Sequence, residues 1–157
     1  MNMALRTGTP ADLPAALQLI QELAVYEKAG DQVEVTVEEL ERDGFGPDKV
    51  FDFFVAEADG EVVGIALYYT KYSTWKGKCL FLEDIVVRES FRGKGLGSLL
   101  FEAVIRESKK RQVRRMEWQV LDWNTPAIRF YEKYHSNLDP EWINGKLVYD
   151  QLQNFES

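Results

Sequence analysis

Apolar positions follow two different periods along this chain. A short first strand ends at Arg6-Thr7. Thr9-Pro10-Ala11-Asp12 has the form of an N-cap, a proline at the first helical position and an acid at the third. Leu13, Leu17, Ile20, Leu23 and Ala24 follow at helical spacing, and Gly30 is expected to end the helix. Thr36-Val37-Glu38-Glu39 repeats the capping pattern and opens a shorter helix that stops near Gly44. The period then switches to two. Residues 53–57 and 62–70 are β-rich runs joined by Asp59-Gly60, a strong hairpin signal. After a loop at Trp75-Lys76-Gly77, residues 80–88 read as a third long strand and residues 92–97 as a glycine-rich turn. Leu96, Leu99, Leu100, Ala103 and Val104 then define one face of a helix. Residues 116–121 read as a strand, Asn124-Thr125-Pro126 as the cap of a helix reaching about Tyr134, and residues 146–152 as a closing strand. The order β-α-α-β-β-β-α-β-α-β predicts an α/β fold, a mixed sheet with helices packed on it. No repeat and no Pro/Gly/Ser linker interrupts it, so a single domain over 1–157 is expected.

Composition agrees with a globular chain: 157 residues, 45% hydrophobic and 13% aromatic, too apolar for disorder. No apolar run approaches the ~18 residues of a spanning helix, and the N-terminus lacks a signal-peptide core. A cytoplasmic, non-membrane protein is the expectation. The one cysteine, Cys79, has no internal disulfide partner and makes no thiolate metal site alone, so no metal is expected.

The net charge of −7 argues against nucleic-acid binding, which uses basic surface to replace phosphate counterions. The charge is unevenly spread. Residues 88–115 hold nine basic and three acidic side chains, whereas residues 31–61 hold eleven acidic and two basic. One segment attracts anions and the other cations, unless both are ordinary solvated faces.

The basic segment contains Arg92-Gly93-Lys94-Gly95-Leu96-Gly97-Ser98, placed between a strand and a helix. Glycines permit a tight turn and close approach of a ligand, and the helix start offers unpaired N–H groups at its positive end. Together these make a phosphate-binding turn. The Gly-x-x-x-x-Gly-Lys-Ser/Thr loop of nucleotide hydrolases is absent, and the Gly-x-Gly-x-x-Gly dinucleotide fingerprint fails at its third glycine.

The pattern Arg-x-x-Gly-x-Gly at Arg92, Gly95 and Gly97 resembles the acetyl-CoA pyrophosphate loop of the GNAT superfamily of N-acetyltransferases, and the order of elements resembles that fold over nearly the whole chain. Four more segments resemble the diamine/polyamine (spermidine/spermine-type) branch. They are Gln21-Glu22-Leu23-Ala24-Val25-Tyr26-Glu27, Asp43-Gly44-Phe45-Gly46, Leu82-Glu83-Asp84 with Ile85-Val86-Val87, and the Trp-Asn-x-Pro…Phe-Tyr run from Asp122 to Tyr131. The resemblance implies a mostly antiparallel central sheet whose central strands splay apart to bind acetyl-CoA. Ile85, Val86 and Val87 would present backbone to the pantetheine arm. Arg92, Gly93, Lys94, Gly95, Leu96, Gly97 and Ser98 would hold the pyrophosphate, and Asn124, Thr125, Pro126 and Ala127 would also line the coenzyme. Tyr131 would be the general acid. Tyr26, Glu27, Glu83, Glu117, Trp118 and Gln119 would face a small cationic amine. A homodimer is also implied.

These residue types suit the chemistry. An alkylammonium must lose a proton before it attacks a thioester, and a carboxylate such as Glu83 accepts it. A tyrosine hydroxyl can protonate the departing thiolate. Glu83 and Asp84 are neighbours on a strand, so alternation predicts opposite faces, with at most one at the site; whether Glu83 is a base or an electrostatic group stays open. Trp75, Trp118 and Trp142 either stack on the acceptor or pack in the fold. Cys79 reads as a packed small residue and His135 as a solvent-facing one.

Two departures stand out. His135 occupies the place, four residues after Tyr131, where the family usually has a glycine suited to a left-handed helix end; positive φ costs a histidine more, so a different helix end is expected there. Ser73 stands where that branch often has an acid, two residues before Trp75, which leaves the choice among long polyamines, short diamines and lysine-like amines open. The alternatives are acetylation of a lysine-like metabolite (thialysine) or a protein amine, or coenzyme binding without turnover.

Overall fold

The computed structural model describes residues 1–156. It forms two compact units, Met1–Gln119 and the residues from Val120 onward.

The first unit is a five-stranded sheet with helices. Its elements are β1 (Met3–Thr7), α1 (Leu13–Tyr26), α2 (Val37–Phe45), β2 (Asp52–Ala58), β3 (Glu61–Ser73), β4 (Gly77–Val87), α3 (Leu96–Lys110) and β5 (Arg115–Trp118). Short 3-10 turns lie at Pro10–Asp12, Gly30–Gln32 and Glu89–Phe91. The spatial order is β1-β2-β3-β4-β5. Every pair is antiparallel except β4–β5, which is parallel because α3 carries the chain back across the sheet.

Local chemistry explains several boundaries. Thr36 Oγ1 accepts the Glu39 N–H at 3.1 Å and starts α2. Asp59 and Gly60, at φ of 52° and 81°, form the β2–β3 turn that the Asp-Gly pair predicts. Ahead of α1, Asp12 is buried beneath Arg6, whose guanidinium reaches both carboxylate oxygens at 2.7 and 2.8 Å; the Thr9 N–H also donates to Asp12. These donors stabilise the anion and lower the Asp12 pKa to about 2.

The sheet is covered on both faces. Leu13, Ala16 and Leu19 of α1 and Leu40 of α2 pack with Phe53, Val55, Ile65, Leu67 and Val86. On the other face α3 buries Leu96, Leu100, Phe101, Ala103 and Val104. Gly64 permits this approach, since a Cβ there would lie 3.1 Å from both Leu100 Cδ1 and the Val86 carbonyl oxygen.

The second unit contains α4 (Thr125–Glu132) and α5 (Tyr149–Gln153). Asn124 Oδ1 accepts the Ala127 N–H at 3.3 Å and caps α4 as expected. His135 has φ of 57°, so the left-handed helix end is kept without the glycine, against the expectation of a different end.

Four further expectations need correction. Residues 146–152 do not form a strand: Leu147, Val148, Tyr149 and Leu152 are exposed, and the Val148 N–H donates to Gln151 Oε1, closing a helical turn instead. A short apolar run is ambiguous between strand and helix until a partner strand decides it, and β5 is the last strand of the sheet among the described residues. The α1 helix ends at Tyr26, before Gly30, because Lys28 takes the left-handed conformation at φ of 63°. Leu99 sits on the flank of α3 and is exposed. The predicted strand 116–121 stops at Trp118, for a reason that lies in β4.

No described helix is long and apolar enough to cross a membrane.

Candidate active site

Strand β4 is irregular at one residue. Tyr68 stands opposite Leu82 and Leu67 opposite Asp84, so Glu83 is an extra residue with no direct partner on β3. This is a β-bulge, which bends the strand and locally breaks alternation. Two consequences follow. The β4–β5 ladder ends at the Leu82–Trp118 pair, one residue before the bulge, which leaves β5 short and β4 without a β5 partner from Glu83 onward. The bulge also resets the faces. Phe81 and Tyr69 are paired, as are Asp84 and Leu67, so Glu83 and Asp84 both fall on the face that packs α1. The expectation that they point to opposite faces fails here, because strict alternation assumes an unbroken ladder.

A carboxylate group results. The Tyr69 hydroxyl donates to Glu83 Oε1 at 2.8 Å. Burial, then the charges of Glu83 and Glu27, push the Asp84 carboxyl up to about 6. Burial also raises Glu27, at the C-terminal end of α1. Burial and the bond to Glu83 push the Tyr69 phenol up to about 12, so it remains a donor. Sequence reasoning missed Tyr69 and set Asp84 aside. The signal for both was the bulge, and two-residue periodicity carries no trace of it.

Beside this group lies the glycine-rich turn. Gly93 and Gly95 adopt φ of 77° and 84°, with open space where a Cβ would project. Gly95 caps α3 with no side-chain acceptor for the first-turn N–H groups of Leu96, Gly97 and Ser98. This 15-residue helix therefore presents an uncapped positive end beside Lys94. Arg92 is held by a 3.0 Å bond from Nε to the Val87 carbonyl and by the Tyr26 ring, 5.6 Å from its guanidinium. Tyr26 thus touches the turn.

The open edge of β4 joins the two regions. The Arg88 N–H donates to the Val63 carbonyl of the neighbouring strand. Alternation then turns the N–H and C=O of Val87 and Ile85 away from β3, toward the unpaired edge. Val86 points its backbone to β3 and buries its side chain in the core. Of these three residues, Ile85 offers both backbone groups to an extended ligand and Val87 its N–H, its carbonyl being taken by Arg92.

At β5, the Glu117 carboxylate is engaged by Lys71 at 2.9 Å and Arg115 at 3.2 Å. Trp118 packs edge-on against Phe101 at 5.3 Å, and Gln119 is exposed. Glu117 and Trp118 belong to β5, the last strand of the sheet, and Gln119 follows it. Cys79 is fully buried and Trp75 is exposed. A cavity of about 420 Å³ at the start of β2 is lined by Lys49, Phe51, Asp52, Tyr69 and Arg111, but its charges pair with each other, Lys49 and Arg111 both on Asp52.

In the second unit, Thr125, Pro126 and Ala127 form the first turn of α4 behind the buried Asn124. Tyr131 is buried, its ring edge-on to Phe130 at 5.3 Å, and its carbonyl accepts from Ser136 Oγ at 2.9 Å. Among the described residues, no His, Cys, Asp and Glu side chains are grouped as metal ligands would be.

The sequence profile of the acetyltransferase (GNAT) family matches residues 17–136. The chain belongs to this family. The match spans the carboxylate group, the glycine-rich turn and Tyr131. Among characterised relatives, a thialysine N-epsilon-acetyltransferase of Bos taurus is 41% identical over 136 residues, covering 82% of this chain and 80% of that protein. The spermidine/spermine N(1)-acetyltransferase-like protein 1 of Homo sapiens is 34% identical over 134 residues, 81% of this chain but 19% of the other. An aminoglycoside acetyltransferase from an uncultured soil metagenomic sample superimposes with a TM-score of 0.76 at 17% identity, over 93% of this chain and 95% of that one. This last similarity is one of fold. The GNAT fold is the mixed sheet flanked by helices that the residue pattern predicted, and acetyl-CoA is the family's co-substrate.

Proposed function

We propose that this GNAT enzyme transfers the acetyl group of acetyl-CoA to a terminal primary amine of a small diamine or polyamine. The observation that carries the reading is the carboxylate group: Glu27, Glu83 and Asp84 lie near one another, and among the described residues none of them forms a salt bridge. A cationic alkylamine supplies the missing counter-charge. Acetyl-CoA supplies the activated acetyl thioester. The backbone of Ile85 and Val87 would hold its extended arm, and the turn from Arg92 to Ser98, with Asn124 to Ala127, its charged end. Glu83 would take the ammonium proton, freeing the nitrogen lone pair for attack on the carbonyl carbon. The Tyr131 hydroxyl would protonate the departing thiolate.

A lysine-like acceptor is a second reading, favoured by the 41% identity to a thialysine enzyme and by Ser73 in place of an acid. Mass-spectrometric assay with acetyl-CoA against putrescine, spermidine, spermine, thialysine, lysine and a lysine peptide separates the two. Preference for the diamines and polyamines is expected. Preference for thialysine or the peptide overturns the first reading, and tight coenzyme binding with no product overturns both. Tyr131→Phe is expected to keep coenzyme binding and lower turnover by about 10²-fold or more; unchanged turnover removes the acid role. A homodimer and a cytoplasmic location belong to the same proposal. The dimer is supported by the exposed Trp142, Ile143, Tyr149 and Phe155 of the second unit, and sedimentation at several concentrations tests it.

A further inference from the structure

We propose that Tyr69 is a positioning residue for this reaction, its hydroxyl holding the bulged Glu83 carboxylate in the geometry that receives the amine. The inference rests on the reading of Glu83 given above and adds the group that aims it.

The bulge creates the need. A residue within a regular ladder is fixed by its own pair of cross-strand bonds, but the extra residue of a bulge is left out of the pairing. Glu83 is that residue, and its side chain is exposed. Left alone, its carboxylate would sample several rotamers and meet the substrate in few of them. Tyr69 is the residue of β3 placed to prevent this. It pairs with Phe81, two residues before Glu83, so its ring rises on the same face and reaches Glu83 diagonally. The reach is a 2.8 Å hydrogen bond from the hydroxyl to Oε1, which leaves Oε2 for the substrate nitrogen.

The ring itself is held. It packs on Phe81 with centroids 5.5 Å apart and lies against the α1 core. A rigid aromatic lever with a single donor at its tip fixes a carboxylate at little cost in its own freedom, as a supporting group around a reacting one should. The phenol stays protonated at any working pH, so the donor is permanent.

The test is a double-mutant cycle with Tyr69→Phe and Glu83→Gln, using steady-state kinetics on the best amine of the panel. Tyr69→Phe keeps the ring and its packing, so the melting temperature should stay within about 2 °C. It should lower kcat about tenfold and leave the KM for acetyl-CoA unchanged, because the coenzyme segments do not involve Tyr69. In the Glu83→Gln background the same change should have no further effect, since Tyr69 acts only through that carboxylate. A wild-type kcat for Tyr69→Phe while Glu83→Gln is slow overturns the positioning role alone. Losses that multiply in the double variant overturn it also, since Tyr69 would then act independently. A wild-type rate for Glu83→Gln itself overturns the reading of Glu83, and the Tyr69 role with it.

Discussion

Asp84 should destabilise the enzyme at neutral pH. Its carboxyl is raised from 3.8 to about 6, first by burial and then by the charges of Glu83 and Glu27. Between those two values the folded protein keeps a proton that the unfolded chain has already released. Stability therefore falls as pH rises through that window, and above about 6 the whole cost is present. At 1.36 kcal/mol per pH unit, the displacement amounts to about 3 kcal/mol, a large share of a typical 5–15 kcal/mol total. Asp84→Asn keeps the shape and removes the charge. Urea unfolding at pH 7.5 should show the variant more stable by about 2–3 kcal/mol, and at pH 4 the advantage should nearly vanish. The variant should also bind a diamine more weakly, because one of three carboxylates no longer attracts it. Equal stability at pH 7.5, or a gain of the same size at pH 4, would refute the reasoning.

Three further predictions concern other parts of the chain. Asp12 is the opposite case: bonded to Arg6 and lowered to about 2, it stabilises the fold above 3.8 and loses that effect as pH falls toward 2. Asp12→Asn should therefore cost about 2 kcal/mol at pH 7 and little at pH 2, read from denaturant midpoints. His135→Gly relieves a non-glycine residue at φ of 57° and should gain about 0.5–1 kcal/mol in thermal unfolding. Gly95→Ala forces a Cβ onto φ of 84° at the cap of α3; it should cost about 1–2 kcal/mol and raise the KM for acetyl-CoA more than that for the amine.

Much of the fold was legible because local chemistry determines it. Asp59-Gly60, Thr36 and Asn124 set a hairpin and two helix starts through bonds within a few residues, whereas the left-handed end at His135 ran against the expectation drawn from the missing glycine. The site was half legible. The glycine-rich turn from Arg92 to Ser98 shows its chemistry in its own residues, and Glu27 and Glu83 became candidates through the family resemblance. Asp84 and Tyr69 could not be read from the sequence. Their placement beside Glu83 depends on the cross-strand register, and the register shifts at Glu83 for reasons spread over three strands. The closing strand failed for a related reason: strand formation in 146–152 needs a neighbour, and an isolated short segment settles its backbone bonds locally.

The same distinction sharpens the charge pattern. The acidic stretch 31–61 suggests a cation-attracting surface, yet four of its eleven acids are already matched. Asp43 lies on Arg42, Asp52 on Lys49 and Arg111, Glu57 on Arg6 and Glu61 on Arg88. The basic stretch is similarly reduced, with Arg88, Arg111 and Arg115 tied to acids and Arg92 to a carbonyl. Counting charges along the chain therefore overstates both fields. Two unpaired groups stand out by their setting: Lys94 beside an uncapped helix start, and Glu27, Glu83 and Asp84 with only a tyrosine donor among them. Three carboxylates held together without a cation, at a cost that Asp84 registers, make sense where a cationic substrate completes them.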